Sequence, residues 1–283
     1  VNRKNIAAQA QIVRCLCEGN GIRPTARLCG CAINTVVKIV TELGQLCTDY
    51  QDNKVRNLSS RVVQVDEIWA FIGSKENHTK PEKKAEGWGD VWNWTAIDAD
   101  SKLMITWHVG QRSPQDAQDF MFDLADRLKN RIQLTSDGLG SYRDAVKLAF
   151  GKDVDYGMLI KEYGNDPIQE KRYSPAVVLS ATPKAIIGDP IESQISTSYV
   201  ERANLTIRMQ NRRFTRLTNG HSKKLENHVA HLGLYFMFYN FCRTNMALTE
   251  GPYKIKRTPA MAAGLTDHIW SVEEMIQTVT DSK

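Results

Sequence analysis

No stretch of the 283-residue sequence is apolar for the roughly 20 residues that a membrane-spanning helix needs, so no membrane partner is expected. The first ten residues carry Arg3 and Lys4, but no apolar segment follows them. No secretory signal is therefore read, and a cytoplasmic location is expected. Internal repeats and low-complexity tracts are also lacking, which speaks against a repeat architecture. Charge of one sign is in short excess. The 37 Lys and Arg against 32 Asp and Glu leave a formal net charge of +5, a mild lean toward a polyanionic partner. Cysteine occurs six times, yet without the two-to-four-residue spacing usual in structural zinc sites. Cys15 and Cys17, then Cys29 and Cys31, are C-x-C pairs, and side chains two apart on a helix point to different faces. They read as small, reduced core residues. What is present is ordinary core material, 42% hydrophobic against 24% charged, as in a folded soluble protein.

The chain divides into three regions. Residues 1–55 read as short helices, with the polar, turn-rich stretch 45–60 as a linker. Residues 56–247 alternate strands and helices, and residues 248–283 form a tail packed loosely over that second region. In the first region, Ile6, Ala10, Val13 and Cys17 recur at helical spacing, and Gly19-Asn20-Gly21 stops the helix. Pro24 opens a short helix ending near Gly30, and a longer one covers residues 32–43. A short helix, a glycine turn and a longer helix are the parts of a helix-turn-helix, which would present Asn34, Thr35 and Lys38 to a DNA groove. A helical hairpin that only packs or dimerises has the same pattern.

The second region opens on residues 61–73, a nearly continuous apolar, β-branched and aromatic run that reads as a central strand. Strands follow at 90–98, 103–109 and 132–136, with helices at 114–129 and 141–150. The expected fold class is α/β, a mixed sheet with helices against it, preceded by a small all-α helix-turn-helix domain.

Asp66 stands in the middle of the most apolar strand, where an ionised carboxylate is costly unless a cation or hydrogen bonds compensate it. Asp137 stands where another strand ends and Gly138 turns the chain. Two carboxylates brought together repel, which raises a pKa or recruits a hard cation. A buried paired Asp and an ordinary Asp-Gly turn explain each residue equally well alone. In residues 198–213, Glu201, Asn204 and Arg208 recur at three and four residues and so share a helix face, opposite a core side of Val200, Ala203, Leu205, Ile207 and Met209. Arg202, Arg208, Arg212, Arg213, Arg216, Lys223 and Lys224 crowd this segment and its continuation, as a phosphate-binding surface would. A solvated basic helix with an internal Glu201–Arg ion pair is the alternative. Glu192 competes with Glu201 as a third acid but follows the turn signal Gly188-Asp-Pro-Ile191. His228 and His231 fall on an apolar helix with Leu225, Leu232 and Leu234 and read as packing or hydrogen-bonding groups.

Val65-Asp-Glu-Ile-Trp69, Thr135-Ser-Asp-Gly138 and Tyr199-Val-Glu-Arg-Ala-Asn-Leu-Thr-Ile-Arg208, followed by residues 216–224, resemble the DDE transposases of the insertion-sequence-1 family. The resemblance extends from the helix-turn-helix to residues 258–264. It implies a ribonuclease H-like catalytic domain over 56–247 and a metal-binding triad of Asp66, Asp137 and Glu201. It implies that Arg208, seven positions after Glu201, helps hold the DNA end. Asn204, Arg212, Arg213 and Arg216 are expected to add DNA contacts from their places in the basic segment. Hard-cation chemistry at such a triad leads to the expectation of two Mg²⁺ ions, with Mn²⁺ able to substitute. The implied partners are transposon terminal repeats and target DNA, with a homo-oligomer in the active complex and a nucleoid association when DNA is bound. The pattern departs from the family's in two places. The segment between Asp137 and Glu201 is longer, with an insertion at about 165–194, and no zinc finger precedes the helix-turn-helix. A transposase-derived regulator without catalysis, and a ribonuclease H-like nuclease without strand transfer, are the rival readings.

Overall fold

The computed structural model describes residues 4–164, 177–215 and 218–282. Three helices come first: α1 (Ile6–Cys17), α2 (Ile22–Leu28) and α3 (Ile33–Lys54). Asn5 caps α1 through its side chain, and Gly30, at φ +55°, makes the turn between α2 and α3. The stretch expected as a linker is helical over residues 45–54, where α3 runs unbroken to Lys54. Its polar residues are the outer face of an amphipathic helix, where the Gln45 amide donates to Asp49 at 2.8 Å. The inner face buries Val40, Leu43, Gly44, Cys47 and Gln51.

Then follow β1 (Val62–Ile72), the short α4 (Pro81–Ala85), β2 (Gly89–Asp98), β3 (Met104–Gly110), α5 (Pro114–Arg127), β4 (Ile132–Ser136), α6 (Gly140–Phe150), β5 (Val154–Gly164) and β6 (Val177–Ile187). Next come α7 (Ser198–Gln210) and α8 (Leu225–Met237), the latter running into a π-helical turn, Phe238–Cys242. The chain finishes with β7 (Asn245–Glu250), β8 (Ile255–Arg257), α9 (Pro259–Ala262) and α10 (Val272–Asp281). Among the described residues, six strands form one sheet in the order β3-β2-β1-β4-β5-β6. β1 pairs antiparallel with β2 and parallel with β4, and β4 pairs parallel with β5. β6 returns antiparallel along β5. Helices cover both faces. Trp94 packs against Phe120 of α5 and Tyr142 of α6 on one, and Trp107 against Phe236 of α8 on the other. This mixed α/β arrangement is compatible with a ribonuclease H-like fold.

Of the insertion expected at about 165–194, residues 165–176 lie outside the described residues and 177–187 form β6, which pairs antiparallel with β5. Two expectations need correction besides the linker. The C-terminal segment is not loosely packed on the second region. α10 buries Val272, Met275, Ile276 and Val279, and Glu273 forms an ion pair with Arg14 of α1. On α7, Leu205 and Met209 are exposed, and the core side is Val200, Ala203, Asn204 and Ile207.

The N-terminal helices share one core with the sheet-bearing region. α3 crosses α8 at backbone distance. A methyl group on Gly44 would stand 2.0 Å from the Ala230 carbonyl oxygen, and one on Gly233 would stand 2.2 Å from Thr48 Oγ1. The Gln51 amide donates to the Gly233 carbonyl at 3.1 Å across the same crossing. Gly44→Ala is expected to lower unfolding stability by about 2–3 kcal/mol through this overpacking, measured as the urea midpoint. A loss under about 0.5 kcal/mol would show that the helices can separate freely.

α8 supplies a second stability element. Arg213 Nη1 donates to Ser222 Oγ at 3.0 Å, and Ser222 Oγ meets His228 Nδ1 at 2.8 Å. On its other side, His228 Nε2 meets Asn93 Oδ1 at 2.7 Å. His228 is thus the packing and hydrogen-bonding group expected. Burial, with Arg213 nearby, pushes its pKa down to about 3. Because the folded pKa is depressed, the unfolded chain takes up a proton below about pH 6.5 that the folded chain refuses. Stability is present above that pH and lost as pH falls toward 3. About 2 kcal/mol should be lost through His228 between pH 7 and pH 5. It is read as the difference in pH dependence of the urea midpoint between the wild-type chain and a folded His228→Gln variant, because the raised Asp66 carboxyl works in the opposite sense over the same interval. Identical pH dependences would contradict it.

Candidate active site

β1 and β4 set the site. Their parallel register pairs Val62 with Gln133 and Gln64 with Thr135. Continued by two residues, it brings Asp137 beside Asp66. β4 ends at Ser136, so the chain turns away as Asp137 arrives. Asp137 Oδ1 accepts the Leu139 backbone N–H at 3.0 Å, which fixes the turn. Asp66 faces α7, where the Asn204 side-chain amide donates to Oδ2 at 2.8 Å. Thr95 Oγ1, on β2, donates to the Asp66 carbonyl and lies 3.2 Å from Asn204 Oδ1. Asn204 is therefore buried under Asp66 and orients it.

A third carboxylate joins them that the sequence reading did not single out. Glu67 points to the opposite face of β1, as strand alternation requires. Arg112 Nε donates to its Oε1 at 2.7 Å and Tyr142 Oη to its Oε2 at 3.0 Å. Ligand atoms of Asp66, Glu67 and Asp137 all lie within 4.8 Å of one another. The signal available in the sequence was the adjacency of Asp66 and Glu67 inside an apolar strand.

The electrostatics agree with the geometry. Burial, then Glu67, then Asp137, push the Asp66 carboxyl up to about 7. Burial and Asp137 also raise Glu67, against the pull of Arg112. Three acids gathered with one nearby guanidinium, whose Nη2 is 4.0 Å from Asp137, leave negative charge that a cation would balance. An all-oxygen donor set of carboxylates fits a hard divalent ion.

Glu201 is not in this group. Its carboxylate forms an ion pair with Lys161 of β5 and accepts a hydrogen bond from Thr197 Oγ1 at 2.6 Å. It stands one turn before Asn204 on α7 and is exposed, outside the buried side of that helix. The partner is a lysine from another strand and not an arginine of its own helix. Glu192 sits in a single 3-10 turn, Glu192–Gln194, and is exposed.

Of the expected DNA contacts, Arg208 is half-buried on α7, Arg212 is exposed, and Arg213 is half-buried against Ser222. Arg216 lies outside the described residues. At the start of α3, Asn34 and Lys38 are exposed and Thr35 is half-buried. Lys38 pairs with Glu42 at 3.6 Å. No helix of the described residues is long and apolar enough to cross a membrane.

No family model matches the chain, and no curated protein matches it. Among solved structures, it is similar to a cryo-EM structure of a piggyBac transposase synaptic complex with hairpin DNA. The TM-score is 0.32 at 12% sequence identity, over 79% of this chain and 52% of that chain. The chain thus spans about half the length of that protein, and at this TM-score the likeness carries no argument about fold or function.

Proposed function

We propose that this protein is a DNA transposase of the DDE type, with a ribonuclease H-like catalytic region that cuts transposon ends and joins them to target DNA. The observation that supports this best is the Asp66, Glu67 and Asp137 cluster, gathered from β1 and the turn that ends the parallel strand β4, with α7 against Asp66. Asp66 and Asp137 would hold Mg²⁺ or Mn²⁺, with Glu67 bordering the ions and Glu201 completing the set once it leaves Lys161. Bound there, such ions supply Lewis-acid polarisation of a scissile phosphate and a more acidic attacking oxygen.

The remaining roles belong to the chain's own groups. Asn204 keeps Asp66 in one rotamer. Arg112 and Tyr142 hold Glu67 and limit its repulsion of Asp137. Arg208, Arg212 and Arg213 would hold the DNA backbone, and Arg216, outside the described residues, would add its charge from its place in the sequence. α1, α2 and α3 would act as a helix-turn-helix, with Asn34, Thr35 and Lys38 meeting DNA at the exposed start of α3. The active complex is expected to hold more than one copy of the chain.

Incubation with a precut DNA end bearing a free 3′-hydroxyl, in Mn²⁺, tests the reading. Joined product supports a transposase. Cleavage without joining would support a ribonuclease H-like nuclease, and binding without either would leave a DNA-binding regulator.

A further inference from the structure

A cleft of about 650 Å³ separates the N-terminal helices from Arg212, Arg213 and residues 219–224. Arg23, Arg212, Arg213, Lys223 and Lys224 line it, and among the described residues no carboxylate does. Of these five, only Lys224 forms an ion pair among the described residues, with Glu226 at 3.6 Å. Arg213 is the most telling. Its guanidinium is desolvated enough to bring its pKa down to about 10, and its hydrogen-bond partner there is the neutral Ser222 hydroxyl. A guanidinium taken out of water without a counter-charge is costly, and an arriving anion would offset that cost.

A second observation points into the same cleft. His231 lines it and is 3% exposed, and neither of its ring nitrogens has a hydrogen-bond partner. A neutral imidazole carries one donor and one acceptor, and leaving both buried and unpaired is costly. Of the two roles expected of His231, packing or hydrogen bonding, its burial fits the first, and among the described residues neither ring nitrogen serves the second. The other walls differ in kind. Ile33 and Val37 give an apolar side, and Asn20, Asn219 and Asn227 bring amides. A phosphate alone would leave most of this volume empty, which falls in the range of about 300–1,000 Å³ that holds a whole small molecule.

We propose that this cleft receives one nucleotide of a bound DNA strand, turned out of its stack. Its phosphate lies against Arg213, Arg212 and Lys223. Its base lies against Ile33 and Val37, with its polar edge facing the amides and His231. The inference rests on the reading of the protein as a DNA-processing enzyme and adds how that DNA is held. The same chemistry would suit a free nucleotide, so the test separates the two sources.

The probes are a 20-base-pair duplex, the same duplex carrying one unpaired adenine, and AMP. Turning out an unpaired base costs least, so it should report the cleft most strongly. The full chain should bind the bulged duplex about tenfold more tightly than the paired one at low salt. Ile33→Trp fills the cleft without touching a cation and should bring that ratio to about one, as should Arg213→Gln. Circular dichroism establishes that both variants are folded, and Ile33, 46% exposed, tolerates the change. Paired and bulged duplexes bound alike would overturn the cleft proposal and leave the DNA reading standing. A preference that survives Ile33→Trp in the folded variant would overturn it too. AMP binding without a bulge preference would assign the cleft to a free nucleotide and overturn the strand-borne source. Failure to bind either duplex would overturn the DNA reading itself.

Discussion

Asp66→Asn is expected to abolish strand cleavage, by about a thousandfold or more, while DNA binding stays equal or becomes tighter. The loss corresponds to ~4 kcal/mol of transition-state stabilisation, the scale of a removed charged contact in a water-poor site. The substitution keeps the shape of the side chain and an oxygen for the Asn204 amide to donate to, so the local packing survives. It removes a negative charge that burial and two neighbouring carboxylates already oppose. In the absence of metal the variant should therefore melt at least as high as the wild-type chain. Removing that charge beside a phosphate-binding surface also favours the DNA complex. Cleavage of an end-bearing oligonucleotide and fluorescence polarisation of the same DNA read the two effects separately. An Asp66→Asn chain that cleaves within tenfold of wild type would remove Asp66 from the chemistry.

The second large effect concerns the third acid. Glu201→Gln should cost several orders of magnitude in cleavage, about 3–5 kcal/mol, and Glu192→Gln should stay near wild type. Glu201 stands on a helix that fixes its direction, beside the residue that orients Asp66. Its ion pair with Lys161 is a competing arrangement, and a divalent ion with DNA in place would draw the carboxylate across. Lys161→Met should then lower the metal concentration needed for half-maximal rate, because Glu201 loses its alternative partner. Glu192 has no such position, being exposed in a short turn that Gln133 anchors through Ile191. If Glu201→Gln cleaves normally and Glu67→Gln does not, the third ligand is Glu67. If Glu192→Gln is the inactive one, the alignment of the whole α7 block is wrong.

Elements whose residues face one environment were legible in the sequence. β4 matches its expected limits, because Ile132 and Leu134 alternate with Gln133 and Thr135 up to the turn signal Asp137-Gly138. β1 and β2 came within a residue at each end, and β1 paired in parallel with β4 brings Asp66 and Asp137 together. What escaped was tertiary in origin. The polar run after Gly44 reads as a linker until α8 covers Cys47 and Gln51, because an amphipathic helix shows its polar face as readily as a loop does. The β5–β6 hairpin projects beyond the core, so its outer half alternates between exposed residues of mixed type and carries little period. Glu67 was hidden by proximity to Asp66. Adjacent strand residues point apart, and only the turn after β4 brings Asp137 within reach of both. The contact between Glu201 and Lys161 joins residues on different elements, and no spacing rule anticipates such a pair.

The most direct measurement is nicking of supercoiled plasmid by the purified chain in Mg²⁺, in Mn²⁺ and in excess EDTA, with the Asp66→Asn and Asp137→Asn chains alongside. The account predicts nicked product with either ion, none in EDTA, and none from either variant. Nicking that survives in EDTA, or in both variants, would contradict a metal-dependent carboxylate centre at Asp66 and Asp137.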